Sequence, residues 1–169
     1  CYTLSSSPTR PELLSITVKR VKDNCIDGLV SNYLHDHFIV GSTLSAKQPQ
    51  GNFHLADYDN NKLLLLSAGS GITPMLAMLR ERTDNAAEND IAFFHSAHSE
   101  QDLIAANEVA ALAKQHGQCR VEYTLTKQAS PQWTDYQGRI SKQMLTNIPD
   151  LLSREVFVCG PKAFREQAK

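Results

Sequence analysis

Leu63-Leu64-Leu65-Leu66 runs straight into Ser67-Ala68-Gly69-Ser70-Gly71, and a helical pattern opens at Thr73-Pro74. The chemistry open to that arrangement is anion binding. Gly69 and Gly71 remove the Cβ atoms that would keep a ligand off the main chain, and the helix start offers unpaired N–H groups at the positive end of its dipole. A phosphate suits such a turn, and so does a tight strand-to-helix connection that binds nothing; the segment alone does not separate the two. A second arrangement lies in "DGLVSNYL", where Gly28 precedes a short helix, Ser31 sits in its first turn, and the amides of Leu29, Val30 and Ser31 face a common point. Taken alone it reads more simply as a Gly–Ser cap with Val30 and Leu34 on a core. Two such sites in adjoining halves imply two nucleotides, and two nucleotides held face to face suit hydride transfer.

The elements that must position these residues fall into two halves. Up to about Leu55 the pattern is short and β-rich. "LLSITVKRV" and "STLSAKQPQGNFHL" alternate apolar and polar residues, interrupted by one short helix around Val30 to His37. From Lys62 the chain reads strand, helix, strand, helix: "KLLLLSA", "TPMLAMLRER", "DIAFFHSA", "QDLIAANEVAALAKQH", "CRVEYTLT", "GRISKQMLTNI", "REVFVCG" and "PKAFREQAK". That alternation predicts a parallel sheet with crossover helices. The change falls in "ADYDNNK", which predicts residues 1–57 as part of an antiparallel β-barrel and residues 58–169 as an α/β nucleotide-binding domain.

In a parallel sheet, ligands gather outside the carboxyl ends of the strands, near the point where the strand order reverses. The strand ends here read Ala68-Gly69-Ser70-Gly71, His95-Ser96-Ala97, Thr124-Leu125-Thr126 and Cys159-Gly160-Pro161. Each has a structural reading of its own, but four small or polar ends on one edge predict a nucleotide site.

Composition narrows the partners. Of 169 residues, 17 are basic and 18 acidic, for a net charge of -1, so no basic field draws nucleic acid or an anionic membrane. With 41% hydrophobic residues the chain can bury a core. No apolar run reaches the ~20 residues a membrane helix needs, and "CYTLSSSPTR" has no signal-peptide pattern, so a cytoplasmic protein without membrane insertion is expected. Cys1, Cys25, Cys119 and Cys159 form no C-x-x-C pair and predict no metal site, and Cys25 and Cys119 read as small buried hydrophobes.

Four segments, in order, resemble the ferredoxin–NADP reductase superfamily of flavin-dependent electron-transfer enzymes: "YTLSS" its flavin motif, "GLVSNYL" its pyrophosphate helix, "AGSGITP" its nicotinamide-side loop, and "CGPKAF" its C-terminal motif. "TVKR" and "GNFHL" fit between them, so the likeness covers nearly the whole chain. "HSAHSEQDL" and "REVFVCGPKAF" lean toward bacterial NADH-dependent reductases that serve an iron–sulfur centre, the branch of the hybrid-cluster protein reductases.

The resemblance implies FAD and NADH as cofactors. It gives Tyr2 a ring-packing role on the isoalloxazine and sets Thr3, Leu4 and Ser5 at the flavin's reactive edge. Thr17, Val18 and Lys19 would contact the ribityl and adenine side, and Gly28, Leu29, Val30 and Ser31 the pyrophosphate. Thr73 would stand between flavin and nicotinamide, with Cys159 and Gly160 bordering the nicotinamide pocket. Ala68, Gly69, Gly71, His95 and Ser96 would lie along the dinucleotide. Thr73, Cys159 and Ser5 are thereby the residues expected beside the reacting atoms.

The activity implied is hydride transfer from NADH to FAD, then single electrons to a partner protein or domain carrying an iron–sulfur or other metal centre. A two-iron two-sulfur cluster in a flanking domain would fit. The rival reading is a non-catalytic module that senses a nucleotide in the same cleft. The motif's arginine would stand immediately before Cys1, so the barrel is expected to be truncated at its N-terminus and to hold FAD weakly. His98, where many relatives carry Arg, and Lys162-Ala163, in place of a small-Gly pair, depart from the family pattern.

Overall fold

A computed structural model describes residues 2–21, 28–127 and 129–168; the expectations for Cys1 and Cys25 lie outside them. The leucine run forms β1 (Lys62–Ala68) and is apolar on successive residues because both faces are covered. Leu63 and Leu65 join a core with Ile72, Met75, Leu76 and Leu79 of α2 (Ile72–Asp84) and Val109 of α3 (Ala106–His116). On the opposite face Leu64 and Leu66 pack with Ile140, Ile148 and Phe164. Each such leucine, fully buried, contributes about 1.5–3 kcal/mol. In β2 (Asp90–Ala97), Ile91 and Phe93 face the first core, and Ala92 and Phe94 the second.

β3 (Cys119–Leu125), the two-residue β4 (Tyr136–Gln137) and β5 (Glu155–Cys159) complete a parallel sheet ordered β4-β3-β2-β1-β5. Successive strands step away from β1 on one side, and β5 then returns to its other side. The strand order therefore reverses between β1 and β5. α4 (Lys142–Thr146) and α5 (Lys162–Gln167) carry the chain around β5. At the sheet's opposite, amino end, buried Arg154 donates to the carbonyls of Leu63 (3.2 Å), Asp90 (2.9 Å) and Pro149 (2.8 Å), and pairs with the Asp90 carboxylate at 2.8 Å.

The four long predicted strands form where expected, but three other expectations change. The predicted helix over residues 101–116 begins only at Ala106. Glu100–Asp102 makes a 3-10 turn, and Ala105, at φ 55°, interrupts the helical path. The predicted helix over 138–148 shortens to one turn, opened by Ser141, whose Oγ accepts the Met144 N–H. Residues 42–55 form no strand, because an alternating segment needs a neighbour to complete its ladder, and no described segment pairs with it. That segment docks through side chains instead: Leu55 is buried in the first core, and Phe53 sets its ring edge-on to Phe157 at 5.7 Å.

Among the described residues of the first 57, the ladder is a single antiparallel bridge, Leu4 to Ile16, supported by the Ser5 N–H donating to the Ser15 carbonyl at 2.8 Å. α1 (Leu29–His37) follows. The later half of α2 grips this region. Arg80 donates to the Ser5 carbonyl while pairing with Glu108 at 2.7 Å, and Asp84 accepts from Thr9 at 2.7 Å and pairs with Arg10.

Candidate functional site

At the reversal point the exits of β1 and β5 interlock. Gly71 sits so close to the Cys159–Gly160 peptide that a Cβ on it would lie 2.3 Å from the Cys159 carbonyl oxygen, and a Cβ on Gly160 would lie 3.1 Å from that of Ala68. The missing side chain of Gly71 thus makes room for another stretch of backbone, where the sequence suggested room for a phosphate. Gly69 differs: it adopts φ 52°, and nothing lies within 4 Å of where its Cβ would be.

These exits form one wall of a cleft of about 670 Å³, lined by Ser70, Gly71 and Thr73 from the turn into α2 and by Cys159, Gly160 and Pro161 after β5. Tyr2, Thr3, Thr17, Lys19 and Val21, with Gly28 to Ser31 at the start of α1, line the facing wall. Both glycine-led helix starts singled out in the sequence therefore open into one cavity. Among the described residues no side chain caps α1, which leaves its first-turn amides available to an anion; at α2 the preceding 3-10 turn already takes the Ile72 N–H onto the Gly69 and Ser70 carbonyls, and Pro74 has none to offer. The Ser31 hydroxyl is already engaged, donating to the Gly28 carbonyl at 2.9 Å and accepting the Val21 N–H at 3.2 Å, so it shapes the turn. The Thr73 hydroxyl likewise donates to the Ser70 carbonyl at 3.1 Å. Burial raises the pKa of the Cys159 thiol, against the pull of Arg165, and keeps the group neutral.

Several expected site residues stand away from this cleft. Ser5 is 1% exposed; its N–H goes to Ser15, its carbonyl to Arg80, and its hydroxyl accepts from Thr17 at 3.1 Å, so it braces the segment behind Tyr2 and Thr3. Leu4 is held in its bridge to Ile16, and the Val18 carbonyl meets His35 Nε2 at 2.9 Å. Ala68, Gly69 and Ser96 lie outside the lining, and His95 is fully buried with Nδ1 2.8 Å from the Ser67 hydroxyl. The strand alternation explains His95: it lies two residues beyond Phe93 and shares that residue's inward face. Ser70, Pro161 and Val21 line the cleft without having been singled out as site residues. Ser70 and Pro161 lay inside the quoted motifs, while Val21 carried no signal of its own.

Residues 65–169 match the family described as the oxidoreductase NAD-binding domain. The chain is 37% identical over 171 residues to the glycine betaine monooxygenase reductase subunit of Chromohalobacter salexigens, covering 99% of this chain and 45% of that one. It is 31% identical over 167 residues to the NADH oxidoreductase HCR of Escherichia coli, covering 98% and 47%. The chain thus spans about half the length of the curated relatives it matches. Its fold superimposes with TM-score 0.82 on the FAD/NAD-binding domain of a Vibrio cholerae nitric oxide dioxygenase, at 26% identity, covering 99% of this chain and 68% of that one. Among the described residues, no helix is long and apolar enough to cross a membrane.

Proposed function

The chain belongs to the oxidoreductase NAD-binding domain family of the ferredoxin–NADP reductase superfamily, and from that premise we propose that it is the working core of an NADH-dependent flavoprotein reductase. In this reading residues 58–169 bind the nicotinamide dinucleotide, and residues 1–57 belong to the FAD-binding barrel. The two cofactors meet in the cleft between Tyr2 and Cys159. The observation that carries it is the single cavity shared by two glycine-led helix starts, one from each half.

The donor set suits FAD. An exposed aromatic ring at Tyr2, hydroxyls at Thr3 and Thr17, the Lys19 ammonium and the free amides of α1 offer, in one wall, what an isoalloxazine ring and a pyrophosphate require. Bound FAD supplies the hydride-accepting ring and the passage from a two-electron donor to one-electron steps. The chain's own residues position. Gly71, Thr73 and Cys159 form the wall against which the nicotinamide is held, the amides of Leu29, Val30 and Ser31 hold the flavin pyrophosphate, and Tyr2 and Thr3 orient its ring. The electrons pass to a partner protein or domain with an iron–sulfur or other metal centre, in the cytoplasm.

The test is anaerobic titration of the chain, reconstituted with FAD, by NADH. Bleaching of the flavin absorbance, followed by reduction of a one-electron acceptor such as ferricyanide, is the expected result. NADH binding without bleaching would favour the non-catalytic sensing module, and no binding at all would overturn both.

A further inference from the structure

One step before the carboxyl edge of the sheet, four strands set Cys159, Ser67, His95 and Tyr123 side by side. Cys159 is in register with Ser67, Ser67 with His95, and His95 with Tyr123. Two residues earlier the same register places Phe157, Leu65, Phe93 and Val121, all packed beneath α2 and α3. Because side chains alternate along a strand, the polar row continues that same inward face. A wholly apolar layer therefore gives way, directly behind the cleft, to one in which Ser67, His95 and Tyr123 are polar.

Folding alone does not call for that layer. Ser67 and His95 are both 0% exposed, and His95 Nε2 and Tyr123 Oη are buried without a hydrogen-bond partner among the described residues. Buried polar atoms left unpaired are destabilising, and apolar side chains would fill the same positions without that cost. What the row adjoins is the cleft wall: Ser67 and Cys159 are the last pair between β1 and β5, after which Gly71 nests on the Cys159–Gly160 peptide.

We propose that the Ser67–His95 hydrogen bond, 2.8 Å from Oγ to Nδ1, is a positioning element of the cleft, joining inward side chains near the carboxyl ends of β1 and β2 so that the turn into α2 stays seated on Cys159 and Gly160. Ser67 and His95 touch no ligand in this arrangement. They act through the backbone exits, and the inference rests on the dinucleotide reading of the cleft. Its consequence is a separation of binding from stability. When both partners become apolar, the buried unpaired groups vanish and the fold keeps its stability, yet the exits lose their fixed spacing.

The experiment compares Ser67→Ala, His95→Phe, the double variant and His95→Asn, whose amide keeps a hydrogen-bonding atom near the position of Nδ1. Three quantities are read on the whole chain: melting temperature, NADH affinity by fluorescence titration, and the rate at which iodoacetamide labels Cys159, followed by peptide mass. The loss of one neutral hydrogen bond corresponds to roughly three- to tenfold weaker NADH binding, with faster Cys159 labelling, in both single variants. The double variant is expected to melt like wild type and still bind weakly, and His95→Asn to bind and label like wild type. A double variant that recovers both affinity and slow labelling would reduce the pair to a structural contact and overturn the proposal, as would single variants indistinguishable from wild type. If wild type itself takes no NADH, the dinucleotide reading fails, and Cys159 labelling still decides whether the pair positions the exits.

Discussion

Gly71 rests on the peptide that joins Cys159 to Gly160: a Cβ on it would lie 2.6 Å from the Cys159 carbonyl carbon and 2.8 Å from the Gly160 nitrogen. Neither neighbour is a flexible side chain that could step aside. Even Gly71→Ala must push the β1 and β5 exits apart, and Gly71→Val more so. Overpacking of this kind costs about 1–3 kcal/mol.

Both variants are therefore expected to melt lower and to bind NADH more weakly, by roughly tenfold or more for valine. Gly69→Ala is the control. It meets no atom and carries only the strain of its left-handed backbone, about 1–2 kcal/mol. Thermal melts and NADH titrations of the three variants decide the matter, and a Gly71→Ala chain that melts and binds like wild type would refute the interlock.

Arg154 supports the other end of the same strands. Its side chain is 2% exposed, and its guanidinium serves three carbonyls and one carboxylate. Arg154→Met leaves the carbonyls unmet at a buried site, a loss of about 1–3 kcal/mol, while the Asp90 carboxylate, 43% exposed, is met by solvent. Arg154→Lys keeps the charge but loses the planar fork, and should fall between the two. Urea unfolding midpoints order the three proteins, and equal midpoints for arginine and methionine would show the cluster to be dispensable.

The legible parts of this fold were those with two-sided burial or a period. β1 and β2 could be bounded from sequence because their apolar runs end where small or polar residues begin. β4 could not, since two residues, Tyr136 and Gln137, carry no period, and their place beside β3 depends on tertiary pairing. The alternation in residues 42–55 was real but had no described partner strand, so pattern alone misread it. At the site, the motifs brought Gly28, Ser31, Gly71, Thr73 and Cys159 to one cleft. Ser5 and His95 lay within the same motifs but turn inward, and for His95 the Ile91, Phe93, His95 spacing already held that information.

His95 also makes stability depend on pH. Burial, opposed in part by its bond to Ser67, lowers its pKa from 6.5 to about 4. Between those values the unfolded chain binds a proton that the folded chain does not, so stability falls as pH drops. The slope approaches about 1.4 kcal/mol per pH unit, or roughly 3 kcal/mol in all by pH 4, and this contribution is constant above pH 6.5. Glu122 works in the opposite sense: burial raises its carboxyl pKa, so stability is lost as pH rises from the ordinary carboxylate value toward the raised one. Urea midpoints measured from pH 7.5 to 4.5 should decline in wild type and decline less in His95→Phe. Parallel curves would show that His95 titrates normally.

The last prediction concerns the choice between NADH and NADPH. Glu100 and Asp102 stand in the 3-10 turn that follows β2, just beyond His95 and Ser96, which the resemblance sets along the dinucleotide. Both carboxylates are held in their charged form. Glu100 accepts the Ser130 N–H at 2.8 Å, and Asp102 accepts the Ser99 hydroxyl at 2.6 Å with Lys19 nearby; these hydrogen bonds move both pKa values below the usual carboxylate range. A ribose 2′-phosphate needs Arg or Lys partners. Lys19 lines the wall assigned to the flavin, and His98 is already paired through Nδ1 with Thr126 Oγ1 at 2.9 Å. Like charge should therefore disfavour NADPH by about tenfold or more in affinity, which is ~1.4 kcal/mol. Because the turn is exposed, salt with a Debye length near 8 Å at physiological strength should narrow the difference and dilution should widen it. Replacing both acids, Glu100→Gln with Asp102→Asn, should bring the two affinities together chiefly by strengthening NADPH. Fluorescence titrations with each nucleotide at two salt concentrations test all three statements, and equal wild-type affinity for NADPH at low salt would remove these carboxylates from any role in cofactor choice.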